Sequence, residues 1–266
     1  MLLPSDYLAL AVCVLLGVAL TLGVRSRRRW LAAICYVLCA LIFAAFVIDR
    51  KSPWIDYLWL SVWPFPSAVM LQLAIVWGPL IAVLLGLAPY IEKRRDRVAV
   101  DVIAVLVACY GVYNVVLQLV PPPADLTYTE GTVTIQSSST TCIAAACSTY
   151  LRTLGYELSE HKAVQLGVIG PEGGSMTNAW RILRLALPRR YVVHVRRISR
   201  QEMAASQSWY VVAMKLGFTD GHAVCVQVSS DGNTVFVRDS LDGEYNQPWK
   251  EFAKSWMGSA AWAKKR

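Results

Sequence analysis

Apolar positions fall into two regimes along this chain. Through Val120 they run in long blocks with few charges, at 7–24, 30–48, 66–91 and 98–120. Each block has the roughly 20 residues that a helix needs to cross a bilayer core about 30 Å thick. Unpaired backbone amides are costly in lipid, so this regime predicts four membrane-spanning helices. The stretch "PWIDYLWLSVWPFP" at 53–66 is rich in tryptophan and proline and reads as interfacial.

After "PPPADLTYTEG" the blocks give way to short periodic runs. "TYTEGTVTIQ" alternates like a strand, and Thr140 and Thr141 can cap a helix that Gly155 ends. "SMTNAWRILRLAL" spaces its apolar residues as a helix does, behind Ser175 and Thr177. "RYVVHVRRI", "SWYVVAMKL", "HAVCVQV" and "NTVFVRDS" are β-branched and bounded by turn residues, which predicts four strands. Helices first and strands later make an α+β domain. The expected organisation is a four-pass transmembrane domain over 1–120, a linker over 121–133 and the α+β domain over 134–266.

Composition agrees with a membrane part: 56% of the 266 residues are hydrophobic, 17% are charged, and the mean hydropathy is +0.43. The net charge of +8 divides evenly. Ten basic and six acidic residues precede position 121, and sixteen and twelve follow, so each part carries +4. In the first part the positive charge clusters at "RSRRR" (25–29) and "EKRRDR" (92–97), between apolar blocks. That is loop chemistry and not a nucleic-acid footprint. Basic loops stay on the cytoplasmic side, which puts the second domain on the periplasmic or extracellular face of a bacterial inner membrane, with the lipid bilayer as a partner. Without a basic leader or an A-x-A-like exit, the first block is expected to be retained. Asp101, Asn114 and Pro79 interrupt the blocks, and Cys13, Cys35, Cys39 and Cys109 sit in them as small apolar residues.

The last two predicted strands are joined by "SSDGN", whose Asp231–Gly232 pair is a hairpin signal. A two-residue turn there sets Ser230 opposite Asn233 and Asp239 opposite Val224. Side chains alternate faces, so His222, two residues from Val224, shares a face with Asp239. A bulge would swap the faces.

Cys142 lies where the helix of "QSSSTTCIAAACSTYLRTLG" begins. A helix dipole and a nearby imidazolium both favour a thiolate, and a histidine oriented by a carboxylate can take and return its proton. The amide of Gln136 can donate to an oxyanion beside the backbone N–H of Cys142. No metal-ligand spacing accompanies these residues, and neither a cofactor nor a metal is expected. Cys147 and Cys225 are open to pairing or to simple burial. His161, His194, Asp242 and Glu244 read as structural or solvated, and Trp180, Trp209, Trp249 and Trp256 as core or rim aromatics.

From about Thr134 to Trp262 the chain resembles the bacteriocin-processing cysteine peptidases, papain-like domains that cleave after double-glycine leaders. Gln136 stands six residues before Cys142, as in that family. "CIAAACSTYLRTLGYEL" matches its cysteine helix, and "GPEGGSMTNAWRILRLAL" its glycine-rich turn and second helix. "DGHAVCVQVSSDGNTVFVRDS" is similar to its histidine and aspartate strands, and "WKEFAKSW" to its closing helix. The resemblance implies Cys142 as nucleophile, His222 as base, Asp239 as its orienter and Gln136 as oxyanion donor, acting on a peptide or protein with a Gly-Gly cleavage site. The chain departs from the pattern at Thr141 and Ile143, which flank the cysteine, and at Ser240, where the family usually has proline. It lacks the G-x-x-x-x-G-K-[ST] loop of the exporters that carry such domains. The expectation is a membrane-anchored cysteine peptidase cutting at the outer face. Two other readings use the same residues: a peptide-binding or sensing module without turnover, and a transamidase or acyltransferase that hands the acyl group to an amine.

Overall fold

The computed structural model describes residues 3–24, 91–124, 129–216 and 221–266, with single positions between 34 and 88. Among the described residues, two long helices precede the linker, α1 (Pro4–Val24) and α2 (Arg94–Leu119). The expected spans at 30–48 and 66–91, and the interfacial stretch at 53–66, lie outside the described residues apart from single positions. Pro79 lies outside them as well.

Among the described residues, no helix is long and apolar enough to cross a membrane. This overturns the four-pass bundle, the lipid bilayer as partner and the inner-membrane localisation. α2 also departs from the expectation at its start. The cluster read as a loop is helical from Arg94 onward, so Arg94, Arg95, Asp96 and Arg97 form its first turn and Asp101 its second. Arg97 folds back over the helix start, donating from Nη2 and Nε to the carbonyl of Ile91 at 2.8 and 3.2 Å. α1 likewise takes Asp6 into its first turn, where the carboxylate accepts from the Leu3 amide at 2.6 Å.

The chain divides into two compact units, one of which holds Gln118–Arg266. That unit opens with a short hairpin, β1 (Thr129–Glu130) and β2 (Val133–Thr134). Three helices follow: α3 (Cys142–Thr153), α4 (Glu160–Gly167) and α5 (Met176–Ala186). Then come β3 (Tyr191–Arg197), α6 (Arg200–Ser206), β4 (Trp209–Lys215), β5 (Gly221–Val228), β6 (Thr234–Asp239), β7 (Gly243–Pro248), α7 (Trp249–Ser255) and β8 (Trp256–Lys265). The α+β part of the expectation therefore describes this unit.

The sheet is antiparallel throughout, in the order β3-β8-β4-β5-β6-β7. The expected hairpin register is present, with Cys225 opposite Arg238, Val226 opposite Val237 and Val228 opposite Val235. β5 is buried on both faces and so reads as a nearly unbroken apolar run, whereas β6 alternates because only one face is covered. One face carries the core of Tyr210, Val212, Val224, Val226, Val235, Val237, Phe252 and Ala260. Phe252 brings α7 into that core, and Met203 brings α6.

α3 packs against β5, β4, α4 and α5. Every residue from Cys142 to Leu151 is buried, and a helix enclosed on all sides needs the small, apolar sequence "CIAAAC". It ends where Gly155 takes φ +80, a left-handed position that glycine adopts without strain. α5 starts with a reciprocal cap: the Ser175 hydroxyl accepts from the helix, and Asn178 Oδ1 accepts from the Ser175 amide at 2.7 Å.

Candidate active site

Three elements position the candidate side chains. Cys142 is the first residue of α3, at the positive end of the helix dipole, and its own N–H is one the helix leaves unused. His222 and Asp239 come from the paired strands β5 and β6, near the end remote from the Asp231–Gly232 turn. Nε2 of His222 lies 2.7 Å from Oδ1 of Asp239, and both side chains are about 95% buried. The same Oδ1 accepts from the Leu241 amide at 2.8 Å, which fixes the carboxylate against rotation. Cys142 is the other group that acts on the ring, favouring its charged form as Asp239 does. Since Nε2 is engaged by Asp239, Nδ1 is the ring nitrogen left for the thiol.

Burial works against a charge on His222. The hydrogen bond to Asp239 and the electrostatic effects of Asp239 and Cys142 outweigh it, and the pKa rises to about 9. At neutral pH the ring is therefore an imidazolium, held between a carboxylate and a sulfur.

Gln136 is brought to the end of β6, next to Asp239. Its amide N–H donates to the Ser240 carbonyl at 3.3 Å, and its Oε1 accepts from the Ser240 hydroxyl at 2.7 Å. Nε2 donates to the Ser138 carbonyl at 3.0 Å. The next residue is anchored from the other side, where the buried Glu160 carboxylate at the start of α4 accepts from the Ser137 amide at 2.9 Å and from its hydroxyl. Glu160 and Ser240 were missed in the sequence. Only Ser240 left a trace, as a departure beside Asp239.

Thr141 occupies the N-cap position of α3 but makes no cap bond. Its hydroxyl turns back to Ser138, accepting from the amide at 3.2 Å and donating to the carbonyl at 2.9 Å. Ile143, the other departure beside the cysteine, is 3% exposed and packs against Gly174. Cys147 and Cys225 are free, buried thiols, and burial raises both above the ordinary value.

The remaining candidates lie apart from this cluster. His161 bonds Gln165 one turn along α4 at 2.8 Å, and His194 stacks on Trp262 with centroids 5.2 Å apart. Glu244 lies on β7, not in a loop, and pairs with Arg238 at 3.0 Å. Asp242 is exposed in the β6–β7 turn. Trp209 lies under the Arg238 guanidinium at 4.1 Å, Trp180 is buried in α5, and Trp249 and Trp256 pack together beside Phe252.

No family model and no curated protein matches the chain. Solved structures do. The peptidase domain of Streptococcus ComA, a bi-functional ABC transporter involved in quorum sensing, matches with 13% identity and a TM-score of 0.44, over 50% of this chain and 96% of that one. A double glycine motif protease from an AMS/PCAT transporter, in complex with its leader peptide, matches with 15% identity and a TM-score of 0.44, over 55% and 98%. The peptidase domain of Streptococcus mutans ComA gives 12%, 0.40, 50% and 98%.

Proposed function

We propose that the unit holding Gln118–Arg266 is a cysteine peptidase acting on a peptide or protein substrate. The observation that carries this reading is the buried His222–Asp239 hydrogen bond, with the Cys142 sulfur at a helix N-terminus acting on the same ring. The thiolate attacks the scissile carbonyl carbon, and the carbonyl π electrons move onto oxygen. The backbone N–H of Cys142 and the Gln136 amide donate to that oxyanion. The His222 imidazolium gives its proton to the leaving amine as the C–N bond breaks, which leaves a thioester. Water then attacks with His222 as base, and the carboxylic acid departs as the thiolate returns. Asp239 holds the ring orientation and stabilises its charge throughout. The double-glycine protease among the structural neighbours supports a Gly-Gly site as the first substrate to try.

The test is proteomics of cells carrying Cys142→Ala against cells carrying the unchanged chain. An uncleaved precursor should accumulate in the variant, and its cleavage by purified protein should vanish with Cys142→Ala. Cleavage that survives the substitution would remove the assignment.

A further inference from the structure

The side-chain amide of Gln136 can take two orientations that differ by a flip, and only one presents an N–H to a developing oxyanion. Two contacts choose between them. The Ser240 hydroxyl donates to Oε1 at 2.7 Å, and the Ser138 carbonyl accepts from Nε2 at 3.0 Å. The flipped amide would set Oε1 against the Ser138 carbonyl oxygen and leave the two facing acceptors to repel. With one Nε2 hydrogen committed to Ser138, the other is free to be aimed.

Ser240 is only 2% exposed, so water does not compete for its hydroxyl. Its carbonyl also accepts from the Gln136 backbone amide at 3.3 Å, so the same residue grips Gln136 at both ends. Asp239 and Ser240 are neighbours in the chain. One orients the histidine and the other holds the glutamine.

We propose that Ser240 is a positioning residue that sets the Gln136 amide for oxyanion stabilisation, an inference that rests on the peptidase reading. Its hydroxyl supplies a bond that the proline usual at this place in the resembled family cannot make, which turns the departure at this position into a device of this chain.

Two reagents separate positioning from general damage, both applied to the full chain and read by mass spectrometry of the Cys142 peptide. p-Nitrophenyl acetate acylates the sulfur through a tetrahedral oxyanion, whereas iodoacetamide alkylates it by displacement at carbon and forms none. Ser240→Ala should slow acylation of Cys142 roughly tenfold or more while alkylation stays within about twofold, given that one oxyanion donor is worth about 10²–10³ in rate. Ser240→Cys, a weaker donor of similar size, should fall between. In a Gln136→Ala background, Ser240→Ala should add nothing.

Unchanged acylation in Ser240→Ala would overturn the proposal. So would a parallel loss of both rates, which points to a disturbed thiol and histidine, or a full additional loss in the Gln136→Ala background. If Cys142 of the unchanged protein takes neither reagent, the peptidase reading itself falls and this inference falls with it.

Discussion

The Cγ2 methyl of Ile143 occupies the place a side chain on Gly174 would need: a Cβ built there would lie 2.6 Å from it. The residue after Cys142 is thus directed into the packing of α3 against the Gly173–Gly174 turn. Gly174→Ala should destabilise the unit by about 1–3 kcal/mol, the usual penalty of overpacking. Ile143→Ala opens the space, so thermal unfolding of the double variant should show a loss smaller than the sum of the single losses by about 1 kcal/mol or more. Strictly additive losses would contradict the packing.

Asp239 contributes both an acceptor and a charge to His222, and two substitutions separate them. Asp239→Ala removes both, and kcat/KM should fall roughly 10²–10⁴-fold. Asp239→Asn can keep an oxygen on Nε2 and loses only the charge. It should lose less, and its activity should decline at a lower pH than that of the unchanged protein. Profiles of kcat/KM against pH for the three proteins would decide this, and identical profiles would argue against the charge.

The raised pKa of His222 also couples folding to pH. The folded value of about 9 exceeds the usual 6.5, so the stabilisation is complete below about 6.5 and is lost as pH rises through 9. Urea unfolding at pH 6 and at pH 9.5 should show the unchanged protein weakening more over that interval than a His222→Gln variant.

Cys147 and Cys225 are fully buried, and burial raises both thiols. In the native protein, iodoacetamide should modify Cys142 well before either of them, and all three after denaturation. Cys147→Ser would bury a hydroxyl among apolar neighbours and should cost about 1–3 kcal/mol in chemical denaturation.

The pairing of His222 with Asp239 was legible in the sequence because its determinants are local. The Asp231–Gly232 turn sets the register of β5 against β6, and register with side-chain alternation is enough to bring His222 and Asp239 to one face. The spacing of Gln136 and Cys142 was legible in the same way. β7 is not among the predicted strands because it lies at the sheet edge. Glu244, Tyr245 and Asn246 are exposed, so no apolar face announces them. β8 escaped notice since its centre, Ser259 to Ala261, is small and carries little β-propensity, and only its neighbours on both sides make it a strand. The roles of Ser240 and Glu160 depend on contacts more than 100 and more than 20 residues away in sequence, which no local pattern encodes. The membrane reading failed where apolar composition was taken for a span and the first helical turn of α2 for a loop.

β8 lies between β3 and β4 although it follows them both in the chain. A ribosome that has released everything through β7 has therefore produced two strands whose facing edges must stay apart, each offering unpaired amides and carbonyls to any passing strand. The sheet can close only when residues 256–265 slide into that gap. Until then the half-made protein is open to pairing with other nascent chains, and protection by chaperones is most needed during that interval.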